Sequence, residues 1–291
     1  MSTNTELSNF ALDRTGKVEL SSVYDQPDPR AYFAALGTMD YVIPQRASNT
    51  FAAIASVLRA DRGLQQLSVL DIGCSYGVNG ALLRKCITLP ELFTRYVDNR
   101  EVAGLSTSEL ADLDREFFEE LEVVSRDRIV GLDSAKSAAE YATSVGLIDA
   151  HIARDLECES LNARERDLVA PVDLIVSTGC VGYVGRRTLT ALCDQADLPW
   201  MAHYVLRMFP YEPIAAELAH RGYVTERFTE LVPQRRFASP EEQRAVTSSL
   251  REQGVDPTGV EDTGWLFAQL YVSRPSADAL RIPLAGVLEQ A

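Results

Sequence analysis

The residues best suited to chemistry form a glycine-rich turn that follows a short apolar run. Residues 68–83 read SVLDIGCSYGVNGALL, in which Asp71 precedes Gly73, Gly77 and Gly80. Glycines let a ligand approach the backbone closely, and the start of the following helix offers unpaired N–H groups. In an open α/β sheet such turns lie at the carboxyl edge, where ligands bind. The turn is therefore predicted to be a ligand site.

The spacing of the glycines and the charge of Asp71 narrow the ligand class. A dinucleotide fingerprint needs G-x-G-x-x-G, and Ser75 occupies the place of its middle glycine. The carboxylate of Asp71 would repel a diphosphate but attract a cationic amine and sulfonium. S-adenosylmethionine (SAM) is thus favoured over a nicotinamide dinucleotide, and a dehydrogenase is disfavoured.

The segment VLDIGCSYG resembles the first motif of class I SAM-dependent methyltransferases, an acid followed by G-x-G-x-G, with Ser75 replacing the second glycine. Three later segments, GLDS (131–134), ARDLE (153–157) and VDLIVSTGCVGYVG (172–185), strengthen the resemblance, which spans roughly residues 65 to 230. It implies that SAM is the co-substrate. The residues that it implies as SAM contacts are Asp71, Gly73, Ser75, Gly77, Asp133, Ser134, Asp155, Leu156 and Thr178.

The resemblance also implies individual roles for two of these acids. Asp133 matches the family's acid on both ribose hydroxyls, and its two oxygens can each accept one hydrogen bond from a vicinal diol. Asp155 matches the acidic contact to the adenine amino group, with Leu156 beside the ring. The spacing from the glycine turn to Asp133 is longer than is usual in the family. The match of Asp133 therefore holds only if the residues between them include an insertion.

Methyl transfer needs an aligned nucleophile, and a base only where the acceptor is a poor nucleophile. Tyr183, in the loop after the fourth strand, is one catalytic candidate. His203 and Arg207 are two more, because alternate residues of a strand share one face; Arg207 is predicted to bind an acidic group of the substrate. Tyr204 is a further substrate-side candidate.

The aromatic-rich stretch from Tyr24 to Arg46 is predicted to fold over the SAM site as a lid. Tyr24 and Tyr41 would then offer ring faces to the sulfonium cation. Tyr32 is interpreted instead as a residue that packs a pair of N-terminal helices.

Seven short apolar runs alternate with helical patterns, which predicts an α/β fold with a doubly wound, mostly parallel seven-stranded sheet and an antiparallel terminal strand. We expect a helical N-terminal cap over residues 1–62 and a SAM-binding core over 63–291, with helical insertions near 87–126 and 238–262. The predicted strands are 68–72, 128–133, 149–154, 172–178, 199–208, 222–231 and 264–273.

Local signals predict several helix boundaries. In the N-terminal segment, Pro27, Pro29 and Pro44 are interpreted as breaks, and Ser48 or Asn49 as the N-cap of a following helix. In the first insertion, Ser106 or Thr107 is expected to cap a helix that runs through Glu120.

Composition restricts the partners. The net charge of −14, with no Lys/Arg run longer than a dipeptide, disfavours a nucleic-acid substrate. The chain has no long apolar run, the first residues lack a secretory pattern, and the five cysteines lack CxxC spacing. We therefore expect a cytoplasmic protein with free thiols, no metal and no membrane span.

The loop after the fourth strand reads STGC rather than the asparagine-proline signature of many amino- and nucleic-acid N-methyltransferases. This favours a small-molecule acceptor, in specialised metabolism. Two alternatives stay open: a SAM cyclase or lyase that attacks SAM intramolecularly and releases methylthioadenosine, and a non-catalytic SAM-binding partner subunit.

Overall fold

The computed structural model describes residues 11–288, so the first ten residues of the predicted cap and the last three of the predicted core lie outside it. The described chain is built on one seven-stranded sheet. Its strands are β1 (Ser68–Ile72), β2 (Arg128–Asp133), β3 (Ala150–Ala153), β4 (Leu174–Thr178), β5 (Trp200–Leu206), β6 (Tyr223–Arg236) and β7 (Trp265–Pro275).

The order of the strands across the sheet is β3-β2-β1-β4-β5-β7-β6. The pairs among β1 to β5 are all parallel, whereas β7 is antiparallel to both of its neighbours, β5 and β6. Strands β1 to β3 move outward in one direction and β4 to β6 in the other, and β7 is inserted between β5 and β6. The switch point between β1 and β4 is where an open α/β sheet binds ligands. The predicted fold class is confirmed.

Helices cover both faces of the sheet, and an apolar core lies on each face. The helices before β2 are α1 (Ser21–Tyr24), α2 (Arg30–Gly37), α3 (Ile43–Arg62), α4 (Val78–Arg84), α5 (Leu89–Phe93), α6 (Arg100–Ala103) and α7 (Thr107–Glu120), with a π-helical turn over Thr94–Asp98. Those after β2 are α8 (Lys136–Ser144), α9 (Ala163–Val169), α10 (Arg186–Gln195), α11 (Glu212–Ala219), α12 (Pro240–Glu252), α13 (Ser276–Arg281) and α14 (Ala285–Leu288), with a 3-10 turn over Glu261–Thr263.

Two of the predicted N-terminal boundaries are wrong. Pro44 does not break the chain but lies in the first turn of α3, where its missing N–H would be unpaired in any case. Ser48 and Asn49 are consequently inside α3, and the Ser48 hydroxyl donates to the Gln45 carbonyl oxygen at 2.9 Å. The predicted cap at Ser106 is confirmed by a capping box with Glu109.

The N-terminal segment packs onto the first insertion. The Phe33 ring stacks on Tyr96 at a centroid distance of 4.7 Å, and Arg30 Nη1 donates to the Leu105 carbonyl oxygen at 2.9 Å. Within the insertion, the buried carboxylate of Asp114 accepts from the Tyr96 hydroxyl at 2.6 Å and pairs with Arg95. The insertion therefore supports the cap rather than forming a loose loop.

Among residues 11–288, the helices are all too short or too polar to cross a lipid bilayer.

Candidate functional site

The described chain has a cavity of about 690 Å³ at the carboxyl edge of the parallel strands, beside the switch point between β1 and β4. This volume lies within the range of about 300–1,000 Å³ common for small-ligand sites. Of the residues predicted from the sequence, those that line it are Tyr24, Tyr41, Gly73, Ser75, Asp133, Ser134, Asp155, Leu156, Thr178 and Tyr183.

The glycine turn is held in a left-handed backbone conformation at three alternate residues. Gly73, Ser75 and Gly77 have φ angles of 71°, 46° and 77°. A Cβ atom on Gly73 would lie 2.8 Å from that of Cys180, so only glycine fits there. Ser75 adopts the same unfavourable region with a side chain, which is why this place in the motif usually holds glycine. Gly77 does not line the cavity; it precedes the first turn of α4.

Asp71 lies behind the cavity wall, fully buried at the end of β1. Its Oδ1 accepts from Asn79 Nδ2 at 2.9 Å, and the same amide donates to Thr178 Oγ1 at 3.2 Å. Its Oδ2 has no hydrogen-bond partner among the described residues. Burial raises the pKa of the carboxyl to about 7, opposed by the Asn79 hydrogen bond and reinforced by the charge of Asp133. A cationic ligand would relieve this cost.

Asp133 lines the cavity at the end of β2. Its two oxygens accept from the backbone N–H groups of Ser75, at 2.8 Å, and Ala135, at 2.9 Å. Burial raises the pKa of Asp133, although these backbone hydrogen bonds oppose the shift. Each oxygen keeps a second lone pair for a ligand hydroxyl. Asp155 and Leu156 follow β3 on the same cavity, Asp155 exposed and Leu156 buried.

The N-terminal segment contributes three tyrosines to the cavity wall. The Tyr32 ring meets those of Tyr24 and Tyr41 edge to face, at centroid distances of 5.5 and 6.4 Å. Tyr32, which the sequence interpretation placed in packing alone, both packs and lines the cavity. The Asp25 carboxylate accepts from the Ser137 N–H at 2.8 Å and so fastens the segment to α8.

A bulge in β6 brings two consecutive polar side chains to the cavity. The pairing of β6 with β7 shifts register between Pro233 and Arg235. In a regular strand Gln234 and Arg235 would point to opposite faces, but the bulge turns both toward the cavity. Arg235 forms a two-pronged ion pair with Glu242 on α12, at 2.6 and 3.0 Å.

Tyr183 is the one proposed catalytic residue that the structure brings to the cavity. It lies in the loop after β4, and its hydroxyl donates to the Asp13 carboxylate of the N-terminal segment. Its ring meets Phe209 at a centroid distance of 6.1 Å. Burial, reinforced by Asp13, raises the pKa of the Tyr183 hydroxyl.

His203 and Tyr204 do not line the cavity. His203 is fully buried in β5, where its Nδ1 lies 2.8 Å from Ser177 Oγ, and burial lowers the pKa of its ring to about 3. Tyr204 points to the other face of the sheet and donates to Thr50 Oγ1 at 3.0 Å.

Arg207 is also absent from the cavity wall, because β5 ends at Leu206 and the chain turns there. The sequence predicted that Arg207 would bind an acidic group of the substrate, but in the structure its partners are two groups of the chain itself. Arg207 Nη1 pairs with the Glu261 carboxylate at 2.6 Å, and Nη2 donates to the Asp256 carbonyl oxygen at 3.0 Å.

Several cavity residues were missed by the sequence interpretation, notably Asp13, Lys17, Cys180, Gln234 and Arg235. They come from the first hairpin, the loop after β4 and the bulge of β6. No local sequence pattern marks these residues as a group. Lys17 alone stands out, because only three of the 28 basic residues are lysines. Among residues 11–288, no group of three His, Cys, Asp or Glu side chains is placed to hold a metal ion.

The strand order, the antiparallel β7 between β5 and β6, and the glycine turn at the switch point decide the type of fold. The chain has the Rossmann-like fold of class I methyltransferases. This assignment rests on the topology of the sheet. The fold determines where the ligand site lies, but the reaction depends on the residues around the cavity.

No protein-family model and no curated protein matches the chain. Among solved structures, the plantazolicin methyltransferase BpumL in complex with a pentazolic desmethylPZN analog and SAH is 12% identical. The alignment covers 88% of this chain and 97% of that one, with a TM-score of 0.45. Magnesium protoporphyrin IX methyltransferase (ChlM) from Synechocystis PCC 6803 with bound SAM is 11% identical over 92% of this chain and 100% of that one, with a TM-score of 0.40.

The raised pKa of Asp71 predicts a pH-dependent stability. Below about pH 4 its carboxyl is protonated in both the folded and the unfolded states; as the pH rises toward 7, only the unfolded chain readily loses the proton. Stability contributed by this group is therefore lost between pH 4 and 7. We expect Asp71→Asn to gain on the order of 2–4 kcal/mol of unfolding free energy relative to wild type over that interval.

Urea denaturation at several pH values, without ligand, measures this difference. Asp167→Asn, at an exposed residue of α9, is the matched control and should follow wild type at every pH. A constant difference between Asp71→Asn and wild type would contradict the argument.

Proposed function

We propose that the protein binds SAM and transfers its methyl group to a small-molecule acceptor. The observation that carries the proposal is the sequence of acids Asp71, Asp133 and Asp155 at the ends of β1, β2 and β3, beside one cavity and a left-handed glycine turn. Asp133 and Asp155 offer acceptors in the cavity for a vicinal diol and an exocyclic amino group, and Asp71, behind the cavity wall, adds negative charge that favours a cationic amine.

The fit to SAM is supported by buried polar atoms that have no partner in the described structure. Asp71 Oδ2 and Ser75 Oγ are both buried and unpaired, one beneath the glycine turn and one within it. Buried polar atoms are normally hydrogen-bonded, so the unpaired Ser75 Oγ, whose residue lines the cavity, favours a polar ligand. The negative charge of Asp71 and Asp133 favours a positively charged ligand over a diphosphate.

In the proposed reaction SAM supplies an electrophilic methyl group on a sulfonium. The protein's residues bind and orient: Asp133 holds the ribose hydroxyls, and Asp155 and Leu156 hold the adenine. Tyr24, Tyr32 and Tyr41 cover the cavity, exclude water and offer ring faces to the cation. Alignment of the two reactants then supplies most of the rate enhancement.

The acceptor is proposed to be a small molecule of specialised metabolism. Residues of the N-terminal segment line the cavity, whose volume of about 690 Å³ suits a small ligand. The net charge of −14 is unfavourable for a polyanionic acceptor such as a nucleic acid. Tyr183 lies at the cavity and remains a proposed substrate contact, whereas His203 and Arg207 have no part in this proposal.

A second candidate is a reaction within SAM, in which its own α-amino group attacks a carbon bonded to sulfur and methylthioadenosine leaves. The three tyrosines that line the cavity favour it, because aromatic faces stabilise a sulfonium in a closed site. This candidate needs no acceptor pocket.

The assignment of Asp133 to the ribose predicts a binding defect. Asp133→Asn removes the charge of an acceptor that hydrogen-bonds the ligand, so SAM affinity should fall about 10- to 100-fold. Isothermal titration with SAM measures this, and Asp167→Asn is the surface control. Binding of SAM by Asp133→Asn within about twofold of wild type would refute the assignment.

The acceptor class predicts where a transferred label goes. With SAM labelled in the methyl group and a cell extract divided by size, label should enter the small-molecule fraction. Heat-treated enzyme is the control for spontaneous methylation. Faster labelling of RNA or protein than of any small acceptor would overturn the proposal of a small-molecule acceptor.

A further inference from the structure

Lys17 is presented to the cavity by a tight N-terminal hairpin. Leu12 bridges to Val18, and the Asp13 N–H donates to the Lys17 carbonyl oxygen at 2.7 Å. The Asp13 carboxylate accepts from the backbone N–H groups of Thr15, at 2.7 Å, and Lys17, at 3.2 Å. This hairpin fixes the backbone of Lys17, which is only 7% exposed and lines the cavity.

The hairpin is anchored to helix α12, which lies more than two hundred residues later in the chain. Glu242 Oε1 accepts from the Val18 N–H at 2.8 Å, next to its ion pair with Arg235. Glu242 Oε2 also accepts from the Ala238 N–H at 2.7 Å. The Glu242 carboxylate is thus already committed to Arg235 and two backbone groups, and it positions Lys17 without pairing with it.

The ammonium of Lys17 lies against aromatic rings. Its Nζ is 5.0 Å from the centroid of Tyr183 and 5.8 Å from that of Phe209. Among the ion pairs of residues 11–288, none includes Lys17. A buried amine with ring faces in place of a carboxylate partner is unusual, because an unpaired buried charge is costly.

The charged and titratable groups around Lys17 come from every element that packs on it. They are Asp13 of its own hairpin, Cys180 and Tyr183 after β4, Arg235 of β6 and Glu242 of α12. Burial, followed by the charge of Arg235, lowers the pKa of Lys17 to about 8, against the opposing effect of Glu242, Asp13 and Cys180. An amine with this pKa is about one-tenth unprotonated at pH 7 and about half unprotonated at pH 8.

Lys17 also lies beside the loop that contacts the glycine turn. Cys180, which lines the same cavity as Lys17, packs on Gly73 and donates from Sγ to the Ile72 carbonyl oxygen at 3.3 Å. The Lys17 amine, Cys180 and the glycine turn therefore line one cavity. An arginine here would remain protonated, whereas a lysine can lose its proton.

We propose that Lys17 is the general base that takes the proton from the acceptor's nucleophile during methyl transfer. The proposal rests on the proposed function and deepens it, because it names the acceptor class: a hydroxyl or ammonium group, which must lose a proton, rather than a thioether. A hydroxyl gives up its proton as its oxygen bonds to the methyl carbon, whereas an ammonium must lose its proton first, because only the neutral amine has a free electron pair. As the new bond to the methyl carbon forms, the carbon–sulfur bond breaks and the electron pair of that bond stays on sulfur. The acceptor's proton passes to Lys17 Nζ, and then to water.

The first test measures the amine without any acceptor. Trace labelling with acetic anhydride at a series of pH values, read by peptide mass spectrometry, reports the unprotonated fraction of each lysine. The exposed Lys136 is the reference in the same digest. The labelling rate of Lys17 should inflect near pH 8, and an inflection above about pH 10 would overturn the proposal.

The second test compares Lys17→Arg, Lys17→Met and the control Lys136→Arg in the rate of S-adenosylhomocysteine (SAH) release with a metabolite extract. Both Lys17 variants should lose about 100- to 10,000-fold in rate, while binding SAM within about threefold of wild type. The wild-type rate should rise with pH toward about pH 8, and the residual rates of the Lys17 variants should not show this rise.

The results distinguish a failure of Lys17 as the general base from a failure of methyl transfer itself. If Lys17→Arg keeps the wild-type rate, or if Lys17→Met recovers that rate in concentrated extract, Lys17 serves to bind the substrate. Lys17 is then not the general base, whereas the proposal of methyl transfer is unaffected. If wild type binds SAM but releases no SAH with any extract, the proposed function fails, and the base fails with it.

Discussion

The burial of two carboxyl groups at one edge of the sheet is the constraint on which the rest of the site depends. Asp71 and Asp133 lie at the ends of neighbouring parallel strands, and burial raises the pKa of both. Asp133 accepts from the Ser75 N–H of the glycine turn and from the Ala135 N–H after β2, and Ser75 donates from a left-handed backbone conformation. Asp71 keeps one oxygen without a partner. An empty site is thus electrostatically unfavourable, and a cationic ligand stabilises it.

The N-terminal segment supplies part of the cavity wall at this edge. Its tyrosines line the cavity, Asp25 fastens the segment to α8, and Glu242 holds its first hairpin against β6 and α12. The Val18–Glu242 hydrogen bond joins parts of the chain 224 residues apart, and the Asp25–Ser137 hydrogen bond joins parts 112 residues apart. The cap therefore supplies aromatic side chains to the cavity wall, and it places Lys17 beside Arg235 of β6.

The sheet could be predicted from the sequence because buried parallel strands are short, apolar and β-branched, and all seven strands lie where these runs occur. The acids at the strand ends could be placed for the same reason. Pro44 was misread because proline both ends and begins helices. Lys17 and Arg235 reach the cavity through a long-range hydrogen bond and a bulge, neither of which leaves a local pattern. Arg207 was misassigned because its partner Glu261 is distant in sequence.

The most direct test is to incubate the purified protein with SAM alone and with a metabolite extract, and to follow the nucleoside products by mass spectrometry. Methyl transfer predicts SAH that forms only when the extract is present, together with a small molecule that gains one methyl group. Methylthioadenosine that accumulates from SAM alone, faster than SAM breaks down spontaneously, would contradict methyl transfer. That result would instead establish a reaction within SAM itself.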